Sequence, residues 1–162
     1  MKKIYLMRHA KSSWKDEKLS DHERPLKKRG IKDAKHMAQM LESKEYIPQR
    51  IICSTAERAV QTADVFAKAC DYKKEITYSD KLYMAEVKDF YEVLKDLPDK
   101  VSSVMLIGHN PGMEAFLQVL TKKVESLPTS SIAYIKVPVK SWSELNEEVE
   151  GELKKLWRPK EA

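Results

Sequence analysis

The sequence has few cysteines and lacks long apolar runs. Its 162 residues include two cysteines, too few for a disulfide framework, which indicates a reducing compartment. No apolar run approaches the roughly 20 residues that a membrane-spanning helix needs. The first apolar run ends at Arg8, so no secretory leader is predicted. We therefore expect a cytoplasmic protein without a membrane segment.

Metal-binding motifs are also missing. The chain has no His-Glu-x-x-His, no Asp-x-Asp cluster and no cysteine pair at the spacing of a zinc site. These absences argue against a metal centre, and we expect neither a metal ion nor another cofactor.

The composition is that of an ordinary globular protein, with 42% hydrophobic and 34% charged residues. Because a single core typically serves about 100–200 residues, we expect one domain over residues 1–162. The net charge of +5 is unevenly spread, since residues 1–48 hold 13 basic and 7 acidic residues. Such a local positive field suits nucleic acid, a phosphate group or an acidic partner protein, and a solvated lysine-rich surface would look the same.

Apolar patterns predict alternating strands and helices. A polar loop is predicted over residues 11–28, and a Ser54–Glu57 capping box is predicted to start the second helix. The alternation predicts a three-layer α/β/α sandwich around a mostly parallel sheet. Strands are predicted at 4–7, 51–53, 76–78, 101–107, 131–137 and, less regularly, 149–157; helices are predicted from about 28, from about 56, over 88–95 and after Gly112.

Three predicted strands lead into basic side chains. Arg8 and His9 follow the first strand, Arg58 lies one turn beyond the second, and His109 follows the strand at 101–107. Ligands of open α/β sheets bind at the carboxyl ends of the strands, so these residues should share one crevice. Each residue alone is more typical of a structural histidine or a solvated arginine. Together, beside two predicted helix N-termini, they indicate a phosphate pocket.

The motifs around these residues resemble those of the histidine phosphatase superfamily, which has the phosphoglycerate mutase fold, and in particular its short bacterial phosphohistidine phosphatase branch (SixA type). Arg8-His9-Ala10 resembles the opening Arg-His-Gly motif, with Ala10 replacing the glycine. The resemblance spans nearly the whole chain. The matching segments are 6–12, 20–26 with Gly30, 53–62 and 108–111, and more weakly 128–130 and 141–142.

The resemblance implies a metal-independent phosphatase in which His9 is the nucleophile, while Arg8, Arg58 and His109 bind the phosphoryl oxygens. Glu86 is the nearest candidate for a general acid. An exposed residue near a helix start would look the same. Two further residues, Arg24 and Ser12, are candidates for the pocket rim, although a surface ion pair explains Arg24 equally well.

The substrate is predicted less directly. Relatives that act on sugar phosphates carry an Asn six residues after the nucleophile, where this chain has Lys15, and no insertion is large enough to form a cap. A phosphohistidine on a partner protein is therefore the expected substrate, and the enzyme is expected to be a monomer. Hydrolysis of small phosphomonoesters with Glu86 as acid is the alternative, and a non-catalytic phosphate or nucleic-acid binding module is a distant one.

Cys53 and the three tryptophans suggest two other functions, a cysteine phosphatase and a nucleic-acid binding protein. The segment from Cys53 to Arg58 resembles a cysteine-phosphatase loop, but that loop needs five intervening residues and this chain has four. Cys53 is therefore predicted to be a buried strand-end residue. The three tryptophans are predicted to be packing residues, because their spread along the chain gives no pattern for stacking nucleic-acid bases.

Overall fold

A computed structural model describes residues 1–161. The elements alternate as the sequence patterns predict, with boundaries that differ by a few residues. Short 3₁₀ turns are formed by Asp21–Glu23, Asp80–Leu82 and Trp142–Glu144. The strands and helices in chain order are β1 (Lys2–Arg8), α1 (Lys28–Ser43), β2 (Arg50–Ser54), α2 (Glu57–Ala69), β3 (Ile76–Ser79), α3 (Val87–Lys95), β4 (Ser103–Gly108), α4 (Gly112–Thr121), β5 (Ile132–Val137) and β6 (Glu152–Trp157).

The six strands form one sheet in the order β3-β2-β4-β1-β5-β6. The first four strands in that order are parallel, and β5 and β6 are each antiparallel to their neighbours. The predicted fold class, a three-layer sandwich around a mostly parallel sheet, is therefore confirmed.

Both faces of the sheet are covered, which explains why the middle of β1, from Ile4 to Met7, is a continuous apolar run. Ile4 and Leu6 pack on one face with side chains of α3 and α4. Tyr5 and Met7 point to the other face and pack with side chains of α1 and α2. Because successive strand residues alternate between faces, the part of a strand that is buried on both sides is a continuous apolar run.

Two glycines allow close backbone contacts near the carboxyl ends of the strands. A Cβ on Gly30 would lie 2.2 Å from the main-chain oxygen of Lys11, and a Cβ on Gly112 would lie 2.2 Å from that of Ala85. Both distances are far below van der Waals contact. Glycine at these positions therefore lets the loop after β1 approach α1, and lets α4 approach the segment before α3.

One local prediction needs correction. Ser54 does not cap α2, because β2 continues through Ser54 and the N-cap is Ala56. The N-cap of α4 is Pro111. Ile31 in α1 is 44% exposed, whereas Gly30 and Ala34 on the same helix are buried.

Of the helices in residues 1–161, none has the length and apolar character that crossing a membrane would require.

Candidate active site

The carboxyl ends of three neighbouring parallel strands meet at one cavity. Arg8 and His9 follow β1, His109 follows β4, and Arg58 lies in the first turn of α2, directly after β2. All four side chains line a cavity of about 320 Å³, here called the histidine cavity. The structure thus brings together the four residues that the sequence motifs single out.

His9 is held in one orientation by hydrogen bonds to the backbone. Its Nδ1 lies 2.7 Å from the carbonyl oxygen of Ala10, and its main-chain N–H donates to Gly108 at 3.0 Å. A carbonyl oxygen can only accept, so Nδ1 carries the proton and the neutral ring keeps its lone pair on Nε2. Ala10 is itself fixed, since its N–H donates to the Thr62 hydroxyl at 2.9 Å.

The environment of His9 keeps its ring neutral. The pKa of His9 is lowered to about 4, mainly by burial and also by the positive charges of Arg58, Arg8 and Arg24, while the Ala10 hydrogen bond opposes this shift. At neutral pH the imidazole is therefore unprotonated at Nε2. That is the form in which histidine acts as a nucleophile.

His109 lies beside His9, with 5.0 Å between the ring centroids. Its Nε2 is 2.7 Å from the hydroxyl of Ser54. Burial, followed by the influence of His9 and Arg58, lowers the pKa of His109 to about 3. The hydroxyl of Ser54 thus orients this ring, and it also accepts a hydrogen bond from the N–H of Ala56 at 3.2 Å.

Two buried nitrogens at the site have no partner within residues 1–161, namely Nε of Arg8 and Nδ1 of His109. The rest of the Arg8 guanidinium is anchored through Nη1, which donates to the carbonyl oxygen of Leu127 at 3.1 Å. Buried polar atoms are usually paired. An oxyanion in the histidine cavity would accept hydrogen bonds from such groups.

Asp21 is a site residue that the sequence interpretation missed. Its Oδ2 accepts hydrogen bonds from the Tyr83 hydroxyl at 2.6 Å and from Nη2 of Arg58 at 3.0 Å, while its Oδ1 accepts from Nη1 of Arg24 at 2.9 Å. The Tyr83 hydrogen bond, followed by the two arginines, lowers the pKa of Asp21 to about 2. Asp21 therefore stays ionised and holds both guanidinium groups in place.

A sequence feature could have indicated Asp21. It lies three residues before Arg24 in the segment 20–26, and that spacing suits an ion pair on a helical turn. No sequence pattern indicated that Tyr83 lies at the site. Its ring lies edge-on to His109 with 5.5 Å between centroids, a contact that depends on the tertiary fold.

Arg24 and Ser12, predicted at the rim, both line the histidine cavity. Arg24 is 7% exposed; its Nη2 donates to the Ser12 hydroxyl and its Nε to the carbonyl oxygen of Ser13 at 3.2 Å. Trp14 stacks on Arg24, with the guanidinium carbon 3.2 Å from the ring centroid. Trp14 is 74% exposed and is thus not the packing residue predicted, whereas Trp142 is fully buried.

Glu86 lies at the wall of a second, adjacent cavity of about 560 Å³, here called the Glu86 cavity, which Arg58 and His109 also line. It is the N-cap of α3, and its main-chain N–H donates to Asp89 at 2.8 Å. The side chain is exposed. Glu86 is therefore near the histidine pair but is not held against it by a described hydrogen bond.

Cys53 lies within β2 and is fully buried, as predicted. Burial raises the pKa of its thiol far above the usual value. A buried, protonated thiol is a poor nucleophile, and Cys53 lines neither the histidine cavity nor the Glu86 cavity.

Within the part of the chain that the structure describes, no three His, Cys, Asp or Glu side chains are grouped as a metal ion would require.

The two buried histidines should make the protein sensitive to acid. In the unfolded chain a histidine titrates near pH 6.5, whereas His9 and His109 in the fold titrate at about 4 and 3. Between these values the unfolded chain binds more protons, so stability falls as the pH falls. We expect a loss of about 2–4 kcal/mol in the free energy of unfolding between pH 7.5 and pH 5.

Urea unfolding across this pH range would measure the loss. The variant His109→Gln should show a clearly shallower dependence on pH, and His36→Gln, at an exposed position on α1, is the matched control. An unchanged slope in His109→Gln would contradict the assignment of the acid sensitivity to the buried pair.

Comparisons with known proteins agree with this geometry. The sequence profile of the histidine phosphatase superfamily (branch 1) matches residues 4–86. An uncharacterized chloroplastic protein of Arabidopsis thaliana is 32% identical over 152 residues, which is 88% of this chain and 70% of that protein.

Solved structures are similar over nearly the whole chain. A candidate phosphohistidine phosphatase SixA from Agrobacterium tumefaciens superposes with a TM-score of 0.84 and 28% identity, covering 98% of each chain. The protein histidine phosphatase SixA in complex with tungstate has a TM-score of 0.82 and shares the fold at 23% identity over 97% of each chain. The profile match and the similarity to the Agrobacterium tumefaciens SixA structure, together with the arrangement of His9 and His109 at the strand ends, show that the chain belongs to the histidine phosphatase superfamily, in its SixA-type branch, and is a phosphatase.

Proposed function

We propose that this phosphatase removes phosphoryl groups from phosphohistidine on a partner protein, through a covalent phosphohistidine intermediate on His9. One observation carries the proposal. The Nδ1–H of His9 donates to the Ala10 carbonyl, and the low pKa keeps Nε2 unprotonated in a cavity lined by three arginines. That is a neutral nucleophile at a site suited to a phosphoryl anion.

The reaction has two steps on this scheme. Nε2 of His9 attacks phosphorus in line, a new P–N bond forms, and the bond between phosphorus and the substrate nitrogen breaks. The substrate imidazole, which carries a proton on its other ring nitrogen, leaves as the neutral ring. Water then attacks the phosphohistidine, the P–N bond to His9 breaks, and inorganic phosphate leaves with the neutral histidine restored. Covalent catalysis of this kind divides one difficult step into two easier ones.

Arg8, Arg58 and His109 would stabilise the charge on the transferring group. The free Nε of Arg8 and Nδ1 of His109 are buried hydrogen-bonding atoms for which a phosphoryl oxygen is a suitable partner. Arg58 brings a positive charge whose position is fixed by Asp21. Groups placed before the reaction need no rearrangement in the transition state, which is the main source of rate in phosphoryl transfer.

The nature of the leaving group favours phosphohistidine. A protonated phosphohistidine releases neutral imidazole, whose pKa of about 6.5 makes it a good leaving group, whereas an alkoxide leaving from an ester needs a proton from a general acid. The only sequence-predicted acid, Glu86, is exposed and has no contact that fixes it against the histidines. An ester substrate would therefore find weaker assistance here.

The access to the site supports a protein substrate. The connection between α2 and β3 is only residues 70–75, and the one between the 3₁₀ turn at Asp80–Leu82 and α3 is residues 83–86, so neither forms a cap over the cavities. The SixA protein from Agrobacterium tumefaciens, described as a candidate phosphohistidine phosphatase, has the same overall fold. A histidine on the surface of another protein is a suitable substrate for such a site.

We also infer that the enzyme works as a cytoplasmic monomer without a cofactor. Both cysteines are free and buried, which suits a reducing compartment. The proposed chemistry uses residues of one chain only.

The proposed function is tested by comparing kcat/KM on a phosphohistidine peptide with kcat/KM on a panel of phosphomonoesters. The same measurements are made on the Glu86→Gln variant. We expect phosphohistidine to be the better substrate of the unmodified enzyme. Glu86→Gln should change kcat/KM for phosphohistidine by less than about threefold. Any hydrolysis of esters should fall by roughly 10²–10⁴-fold in the same variant, as is usual on losing a general acid. Glu92→Gln is the matched control, because Glu92 is exposed on the same helix and pairs with Lys81.

The opposite pattern would overturn the proposal. If an ester is the better substrate and the Glu86→Gln enzyme no longer hydrolyses it, the protein is a small-molecule phosphomonoesterase of the same superfamily.

A further inference from the structure

Trp14 is unusual because it is both exposed and part of the active-site wall. Its side chain is 74% exposed, yet it lines the histidine cavity together with His9 and Arg58. Tryptophan and arginine are enriched among the residues that contribute most of the binding energy at protein interfaces.

The indole is held in place although it lies on a loop. One face rests on the guanidinium of Arg24, 3.2 Å from the ring centroid. Arg24 in turn is fixed by the carboxylate of Asp21, the hydroxyl of Ser12 and the carbonyl oxygen of Ser13. Because Arg24 covers one face of the ring and most of the side chain is exposed, the opposite face is open to solvent.

The loop that carries Trp14 is anchored at both ends. The N–H of Ser13 donates to the carbonyl oxygen of Pro25 at 2.8 Å, and that of Lys27 donates to Lys11 at 3.0 Å. Ser12 also forms a β-bridge with Leu26. Trp14 is therefore a preorganised surface whose position relative to the phosphoryl site is set by the fold.

We propose that Trp14 is a specificity-determining residue whose open face stacks on the imidazole ring of the phosphohistidine substrate; this rests on the proposed function above. An imidazole is a flat aromatic ring, and offset stacking of aromatic rings adds to the free energy of binding. Phosphoserine has no ring to place there. The same aromatic contact thus favours the substrate whose leaving group needs no general acid.

Two small phosphoryl donors isolate the ring contact. Phosphoimidazole and phosphoramidate both present a P–N bond, and only the first carries an aromatic ring. In Trp14→Ala the ratio of KM for phosphoimidazole to KM for phosphoramidate should rise about 3- to 10-fold, the size of one aromatic contact. Trp14→Phe, which keeps a stacking face, should recover most of that ratio. Val124→Ala is the matched control, since Val124 is 77% exposed and lines neither cavity.

Tryptophan fluorescence gives a second measurement that does not depend on turnover. Trp14 is the most exposed of the three tryptophans, so acrylamide quenching reports chiefly on it. In the inactive His9→Ala enzyme, a phosphohistidine peptide should reduce the quenching, and inorganic phosphate should not.

The outcomes separate the inference from the proposed function. Equal changes in KM for both donors in Trp14→Ala, without protection from quenching, would show that Trp14 only supports Arg24, and the inference would be wrong while the function stands. Turnover of both donors by His9→Ala would instead overturn the proposed function. Protection by phosphate alone also contradicts stacking on the imidazole.

Discussion

Replacing His9 with Ala is expected to abolish the phosphoenzyme and to lower kcat by about 10⁴-fold or more, as is usual on loss of a covalent nucleophile. The reason is geometric. Nδ1 of His9 is bound to the Ala10 carbonyl, so Nε2 is the only nitrogen of this ring that can attack, and burial keeps it unprotonated. Rapid-quench labelling with a radioactive phosphoryl donor should trap a phosphoenzyme that is labile in acid and stable in alkali.

Two controls make the labelling experiment specific. His36→Ala removes an exposed histidine on α1 that lines neither cavity and should keep full labelling. Cys53→Ser should also keep labelling and turnover, because the Cys53 thiol is buried and protonated. Labelling that persists in His9→Ala, or disappears in Cys53→Ser, would contradict the assignment of the nucleophile.

The fold could be predicted because its strongest determinants are local. Continuous apolar runs such as β1 and β4 mark strands buried on both faces, and the helices between them show apolar positions at helical spacing. Once the order of elements is known, the carboxyl ends of the parallel strands must lie together. This is why Arg8, His9, Arg58 and His109 could be expected in one crevice from sequence alone.

Other parts of the site could not be predicted because they depend on contacts distant in sequence. Asp21 meets Arg58 and Tyr83 across 37 and 62 residues, and no periodicity encodes such contacts. Ser54 is a second example: its position in the sequence fits a helix-capping pattern, but in the fold its hydroxyl forms a hydrogen bond with His109. The stacking of Trp14 on Arg24 likewise depends on how the loop after β1 folds back on itself.

The contacts of Asp21 show how Arg58 is positioned at the site. Arg58 is not a free cation at the end of a strand, because Asp21 accepts hydrogen bonds from two of its nitrogens. Holding a long side chain in this way reduces the entropy that would otherwise be lost when phosphate binds. The carboxylate also offsets part of the positive charge of Arg58.

Replacement of Arg58 by Ala is accordingly expected to lower kcat by about 10²–10³-fold, the usual cost of removing one group that stabilises transition-state charge. Arg58→Lys should recover only part of this loss, because an ammonium keeps the charge but not the planar pair of donors. Asp21→Asn should lower kcat less than Arg58→Ala does, because Arg58 remains and loses only its charged partner.

Single-turnover kinetics on a phosphohistidine peptide would separate these effects, with the rate of phosphoenzyme formation as the measured quantity. Arg50→Ala is the matched control: Arg50 begins β2, pairs with Glu75 at 2.9 Å, and lies at the opposite end of that strand from the histidine cavity. A loss in Arg50→Ala as large as in Arg58→Ala would show that the effect comes from weakened folding. A loss confined to KM in Arg58→Ala would show that Arg58 binds the ground state and the transition state equally, because only interactions that strengthen in the transition state change kcat.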